Sequence, residues 1–357
     1  MKTASRTIAL GIDTGGTYTD AVLVDHESGG VLASAKALTT HHDLADGIRE
    51  AMTMVFAAAQ PHGISPAQVE LVGLSTTLAT NAIVEDHGSS VCLLLIGYDA
   101  DLIHQYQFEH DLVTPHIEYI AGGHTVDGDE AAPLDEAAAR AAIRRWHPQV
   151  AAFAVSSYFG VRNPSHELRV RALIEEVTRQ ADGTSRPVTC GHELTTNLDS
   201  IKRATTAALN ARLIPLLQHL MTTMRQTLAQ FEIAAPLMIV KGDGSLVRAE
   251  WAMQRPIETI LSGPAASVVG AWHLAGRQDV WVIDVGGTTT DMAMLEAGRP
   301  RLNAEGAQVG RWRTMVEAVD IHTIGLGGDS RVHLNSNRSP LYGNIVLGPQ
   351  RVIPLCV

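Results

Sequence analysis

Two short segments hold the residue types that phosphate chemistry needs. Ile12-Asp13-Thr14-Gly15-Gly16-Thr17-Tyr18-Thr19-Asp20 and Ile283-Asp284-Val285-Gly286-Gly287-Thr288-Thr289-Thr290-Asp291 agree at seven of nine positions, at a constant offset of 271 residues. In each, an apolar run ends in an aspartate, a Gly-Gly-Thr turn follows, and a second strand-like run begins. Adjacent glycines let a backbone approach a phosphate closely and take up positive φ. Their amides can then converge on an anion, and Thr17, Thr19 and Thr288 add hydroxyl donors. A carboxylate is repelled by phosphate unless a cation stands between them. Asp13 and Asp284 are therefore expected to organise Mg²⁺, through its waters, because that ion dehydrates reluctantly. Asp291 or Asp20 would orient the attacking oxygen. Hairpins built for their own sake would explain the glycines but not the paired aspartates and threonines. The expectation is a site for ATP and Mg²⁺.

Further segments add to this. Thr323-Ile-Gly-Leu-Gly-Gly-Asp-Ser330 carries Gly327 and Gly328, which would let adenine or ribose lie against backbone; alone it also reads as a loop. Ser262-Gly263-Pro264-Ala265 opens a helix whose positive end suits an anion, or is ordinary capping. Thr76, Thr77 and Asn81 lie where a strand feeds a helix, and could bind a substrate amide or cap that helix. Glu193 reads as a base or, more simply, as the ion-pair partner of Lys202 or Arg203. Arg203 is a candidate for a phosphate or a substrate carboxylate. Sixteen histidines form no His-x-x-x-His or His-Glu-x-x-His pattern, which disfavours a transition-metal site. Cys92, Cys190 and Cys356 lie far apart and read as buried free thiols in a reducing compartment.

The elements that must position these residues follow from pattern. Residues 7–13, 19–25 and 29–40 read as strands joined by tight turns, and residues 43–60 as a helix with Leu44, Ile48, Ala51, Met52 and Val55 on one face. Residues 97–130 read as mostly loop. Asp135 is a helix N-cap and Pro164 a first helical residue. Residues 197–231 read as one long helical stretch that Pro215 should kink or interrupt. Residues 280–284 and 290–296 repeat the hairpin. The chain has 357 residues, enough for two cores. The turn-rich segment 182–197 divides it into lobes 1–190 and 191–357. The net charge of −11 argues against a nucleic-acid-tracking surface, and no run reaches the roughly 18–20 apolar residues of a membrane span. A cytoplasmic protein is expected.

Taken in order, these segments resemble a known family. The doubled turn resembles the actin-like ATPase superfamily. Gly11 to Asp20, Ser75 to Ala82, Asn163 to Glu167, Thr205 to Asn210, Pro256 to Ala265, Asp284 to Asp291 and Thr323 to Gly328 resemble the hydantoinase A/oxoprolinase family within it. The resemblance implies an α/β fold of two ribonuclease-H-like lobes with a nucleotide cleft between them. It implies an ATP-dependent hydrolase that activates a cyclic amide, such as a hydantoin or 5-oxoproline, by phosphoryl transfer to the amide oxygen. Ketone carboxylation, small-molecule phosphorylation and regulatory ATP binding are the alternatives. It also implies an oligomer and a B-type subunit as partner. Three departures bear on the substrate: Gly97 to Tyr106 lacks the family's Arg-Gln pair, Gly-Gly-Asp-Ser replaces Gly-Gly-Gly-Ser, and Lys241-Gly-Asp-Gly244 replaces an Asn-Gly turn. Family chains usually continue beyond the third glycine segment, so the second lobe is expected to be incomplete.

Overall fold

The computed structural model describes residues 7–40, 44–287, 289–334 and 345–352. Strand β1 (Ile8–Thr14) and strand β2 (Tyr18–Asp25) form the first hairpin, with Asp13 opposite Asp20 and Leu10 opposite Leu23. Strand β3 (Val31–Leu38) extends it, and helix α1 (Leu44–Ala59) packs across it. Because side chains alternate along a strand, Leu10, Ile12 and Thr14 face the core beneath α1 while Asp13 faces away from it. Strand β4 (Val69–Thr76) lies parallel to β1 in a register that sets Asp13 beside Ser75, and helix α2 (Leu78–Val84) follows.

The segment expected to be loop contributes structure to a second sheet. Strand β5 (Val91–Ile96) is followed by α3 (Ala100–Gln105) and β6 (Ile117–Ile120). Then come α4 (Glu136–Trp146), β7 (Ala152–Ser157), α5 (Ser165–Val177) and β8 (Val188–Cys190). The four strands are parallel in the order β6-β5-β7-β8. β5 and β7 are buried along their whole length, which parallel sheets covered on both faces require. β6 escapes sequence reading because four residues carry too little periodicity, and pairing with β5 decides it. Asp135 caps α4 by accepting from the Ala138 amide; Pro164 stands one place earlier than expected, at the N-cap.

Helix α6 (Ser200–Gln230) runs unbroken through Pro215. An interior proline costs about 3 kcal/mol, but this helix packs against both sheets and buries Leu213, Ile214, Leu217, Leu220 and Met221 around it. Strands β9 (Leu237–Val240) and β10 (Leu246–Arg248) then rejoin the first sheet, completing the order β10-β9-β4-β1-β2-β3. After α7 (Ala249–Gln254) and α8 (Ser262–Ala275), β11 (Val280–Val285) and β12 (Thr290–Glu296) form the second hairpin. β13 (Arg299–Pro300) extends it, β14 (Gln308–Val309) and β15 (Trp312–Arg313) form a separate pair, and β16 (Ile321–Ile324) pairs with β12. β17 (Ser330–Leu334) and β18 (Ile345–Arg351) form a last hairpin. After β8 the chain leaves the second sheet for α6; β9 and β10 return to the first sheet, whereas β11, β12, β13 and β16 form another.

Buried polar ties lock these layers together. Asn210 is fully buried; its carboxamide donates to Thr189 Oγ1 (2.9 Å) and the Gln254 carbonyl (3.0 Å) and accepts from the Ile257 amide (3.1 Å). Removing one partner of a buried hydrogen bond leaves the other unsatisfied. Asn210→Ala should therefore lower unfolding free energy by about 2–4 kcal/mol, read as a shifted urea midpoint; an unchanged midpoint would show that the tie contributes nothing.

Candidate functional site

The two Gly-Gly turns are built alike. The Gly15 amide donates to the Tyr18 carbonyl (3.0 Å) and the Gly286 amide to the Thr289 carbonyl (2.9 Å). That engages one amide in each turn; those of Gly16, Thr17 and Gly287 have no backbone acceptor among the described residues. The glycines do not take up the expected positive φ. At the first glycine of each pair the reason is room: a Cβ at Gly15 would press on the Tyr18 carbonyl at 3.1 Å and one at Gly286 on the Thr289 carbonyl at 3.3 Å, whereas one at Gly16 or Gly287 would meet nothing within 4 Å. Thr288 lies outside the described residues.

Asp13 is half-buried at the end of β1, and Ser75 Oγ donates to its Oδ1 at 2.5 Å. Burial raises its pKa above the usual carboxylate range; Asp20 and Asp284 add repulsion, while Ser75 and Lys36 oppose the rise. Asp284, at the end of β11, is exposed. A cation between the two would offset both burial and repulsion, and hard carboxylate and hydroxyl oxygens suit Mg²⁺. Helix α8 supplies a third wall. A Cβ at Gly263 would stand 3.9 Å from Asp13 Oδ1, so the positive end of a 14-residue helix faces the carboxylate. Ser262 Oγ fastens that end to β4 by donating to the Thr76 carbonyl (3.0 Å) and accepting from the Thr76 amide (3.3 Å). Leu261, just before it, is held left-handed (φ 60°), a conformation costing about 1–2 kcal/mol outside glycine, and its amide is fixed by Thr80 Oγ1.

Several sequence candidates have other work. Thr19 is buried behind the first turn, its hydroxyl bonded to Thr39 Oγ1 (3.1 Å), so it does not face a ligand. Thr39, which no motif signals, braces the turn by donating to the Gly15 carbonyl (2.9 Å). Thr76 is fully buried and accepts from the Leu78 amide, a capping role. Thr77 and Asn81 remain accessible and, with Gly15, Gly16 and Thr39, line a cavity of about 390 Å³. The Gly328 amide donates to the Gly286 carbonyl (3.0 Å) and the Gly327 amide donates to Ser330 Oγ (2.9 Å), so this third segment braces the second turn. Asp20 pairs with Lys36 (2.9 Å), and Asp291 accepts from Thr323 Oγ1 (2.5 Å). Arg203 is fully buried, donating to the carbonyls of Asn197, Ser157 and Tyr158, and so reaches no ligand. Glu193 pairs with Arg171 rather than with Lys202 or Arg203.

Two other places attract attention. A larger cavity, about 670 Å³, opens beside Lys202, Lys241 and Glu258 but contains no residue of either turn. Its Lys241 is already paired with Asp243 (3.1 Å) and Glu258 (3.2 Å). Glu167, Cys190 and His192 bring three ligand-type atoms together. Yet Glu167 is saturated by the amides of Ser157 (2.7 Å) and His192 (3.0 Å) and by the His192 ring, while burial raises the Cys190 thiol pKa and keeps it protonated. This cluster is a tie between α5 and β8. Cys92 and Cys190 are buried free thiols; Cys356 lies outside the described residues.

Residues 9–178 match the hydantoinase/oxoprolinase N-terminal region and residues 203–345 the hydantoinase/oxoprolinase domain. The chain belongs to the hydantoinase/oxoprolinase family. It is 31% identical to caprolactamase subunit alpha of Pseudomonas jessenii, over 96% of this chain and 50% of that one. It is 28% identical to the acetophenone carboxylase gamma subunit of Aromatoleum aromaticum, over 90% and 47%. The crystal structure of the ATP-dependent caprolactamase from Pseudomonas jessenii superposes with a TM-score of 0.77 at 31% identity, covering 92% of this chain and 49% of that one. The two-lobed α/β fold of this family is thus the fold of this chain, which spans about half the length of the curated relatives it matches. Among the described residues no helix is long and apolar enough to cross a membrane.

The raised proton affinity of Asp13 has a signed consequence. The folded state then holds the proton more tightly than the unfolded chain, so stability falls as pH rises through the interval between the unfolded and folded pKa. Asp13→Asn should raise the melting temperature at pH 7–8, and the gain should vanish below about pH 4, where both side chains are neutral. Melting scans across pH in metal-free buffer check this; a constant difference at all pH would contradict it.

Proposed function

We propose that this chain binds ATP·Mg²⁺ between its two Gly-Gly turns and directs the γ-phosphoryl group to the oxygen of a cyclic amide. The observation that carries this reading is the pair of aspartates at equivalent positions before two Gly-Gly turns, near enough for Asp284 to repel Asp13, with the start of α8 beside Asp13. The free amides of Gly16, Thr17 and Gly287 suit phosphate oxygens. Asp13 and Asp284 would hold Mg²⁺, which supplies charge neutralisation during transfer.

Thr77 and Asn81 border the cavity on the Gly15–Gly16 side. The Asn81 amide group is turned to Thr77 Oγ1 (3.3 Å), which leaves its oxygen as an acceptor for a ring N–H. Phosphorylating an amide oxygen opens its carbon to water; the adduct then breaks its ring C–N bond as the nitrogen takes up a proton and leaves as an amine, and the resulting acyl phosphate is hydrolysed by a second water to carboxylate and inorganic phosphate. The caprolactamase likeness favours a lactam-type substrate, and the acetophenone carboxylase likeness supports a ketone as the second reading. Both of those relatives are named as subunits, which supports a B-type partner here.

The full-length protein, with and without its partner subunit, should release ADP faster when given caprolactam, hydantoin or 5-oxoproline, and Asp284→Asn should lower kcat by about 10²–10³-fold. Stimulation by ketones with bicarbonate but by no cyclic amide would move the reading to carboxylation. Absence of ATP·Mg²⁺ binding by calorimetry would refute both.

A further inference from the structure

The buried tie between α5 and β8 has one loose end. Glu167 is fully buried, and each of its oxygens already accepts a backbone amide, Oε1 from Ser157 (2.7 Å) and Oε2 from His192 (3.0 Å). The His192 ring meets Oε2 through Nδ1. Against oxygens already engaged as acceptors, Nδ1 takes the donor's part, so the neutral ring carries its proton there and keeps its lone pair on Nε2. A carboxylate behind an imidazole fixes both the ring and its tautomer in this way. Nε2 has no partner among the described residues, and the ring, 17% exposed, lines the cavity of about 670 Å³. That cavity opens just past the carboxyl end of β8, the side of a parallel sheet on which open α/β folds bind ligands. Its size lies within the range of about 300–1,000 Å³ usual for ligand pockets.

The charged groups of the lining fall into two sets. Lys241 and Arg255 are engaged by Asp243 and Glu258, at 3.1 to 3.4 Å. Lys202 and Glu317 are not. The Lys202 ammonium makes no hydrogen bond among the described residues, with Asp199 standing 3.7 Å away, and the Glu317 carboxylate has neither a hydrogen bond nor an ion pair there. Leu194, Met315 and Val316 add aliphatic surface. We propose that this cavity binds a small zwitterion, an amino acid whose ammonium and carboxylate stand at two ends of a carbon chain. The ammonium donates to His192 Nε2 and is offset by Glu317, the carboxylate pairs with Lys202, and the chain lies against the aliphatic residues. A simple cation would leave Lys202 opposing it, and a simple anion would leave Glu317 opposing it, so the lining selects for both charges together. Glu167 is a positioning residue that acts through His192. The assignment stands apart from the nucleotide reading; under that reading the ring-opened product of a lactam is a ligand of this class.

Calorimetry on the full-length protein, purified with any subunit it carries and kept free of nucleotide, tests this. The probes are 6-aminohexanoate, 4-aminobutanoate and glutamate, set against hexanoate and hexylamine. At least one of the three amino acids should bind with a Kd below about 1 mM, and the single-charge analogues about tenfold more weakly or not at all. His192→Asn keeps an amide donor toward Glu167 but deletes Nε2, and Lys202→Met keeps the aliphatic stem; each should weaken binding about tenfold at an unchanged melting temperature. The amino acid that binds should also slow carbethoxylation of His192 by diethyl pyrocarbonate, read by peptide mass spectrometry. Binding of none of the three, equal binding of hexanoate or hexylamine, an affinity insensitive to Lys202→Met, or no protection of His192 overturns the proposal, whether or not the protein binds ATP·Mg²⁺.

Discussion

The geometry of the cleft depends on one contact, the hydrogen bond from Ser75 to Asp13 at the ends of two parallel strands. It exists because β1 and β4 pair in a register that places their last residues side by side. That register is fixed in turn by alternation: Leu10 and Ile12 must lie under α1, so Asp13 must point the other way. A slip of one residue would bury the aspartate and expose the core. The hydrogen bond opposes the proton affinity that burial and the neighbouring carboxylates give Asp13. The chain thus holds a carboxylate in a place where it is uncomfortable without a cation, and that discomfort is what a metal-bound phosphate would relieve.

How much of this the sequence disclosed depends on distance along the chain. The doubled turn, the strands around it and the α1 stripe are local patterns, and each stands where pattern reading puts it. Ser75, Thr39 and the latch at Ser262 act across 62, 24 and 186 residues of chain, and only a sheet register or a helix docking brings them to the site. Thr19 and Thr76 illustrate the converse error. Their residue type suits a ligand, but their place on the pleat turns them inward. The glycines were right in position and wrong in reason, since the turn closes without positive φ and needs space instead. β6 and the unbroken passage of α6 through Pro215 are tertiary decisions that local propensity cannot make.

The segments that carry the family resemblance divide along the same line. Asp13, Gly15, Gly16, Asp284 and Gly287 stay at least partly accessible at the two turns, while Thr14, between Asp13 and Gly15, is buried. Glu167 and Asn210 are buried ties between layers, and Thr205 and Thr206 are buried with hydroxyls bonded to backbone one turn earlier. A segment that carries the family resemblance therefore does not by itself mark chemistry. A buried carboxylate that receives two backbone amides, as Glu167 does, resists replacement as strongly as a metal ligand would, because removing it strands the groups it satisfies.

The two copies of the turn also differ in what surrounds them, and that difference is useful to a cleft. Asp13 stands on a strand with neighbours on both sides, beside Ser75 and α8, with Thr39 bracing its turn; Asp284 stands on a strand that has one neighbour among the described residues, its turn braced by the Gly327–Gly328 segment. The carboxylate on the first side is half-buried and the one on the second side is exposed. Ser262, bonded to both the amide and the carbonyl of Thr76, fixes the start of α8 against β4. The left-handed Leu261 beside it sets the direction in which α8 enters the cleft, so a conformation unfavourable for leucine is maintained by the packing that the site requires.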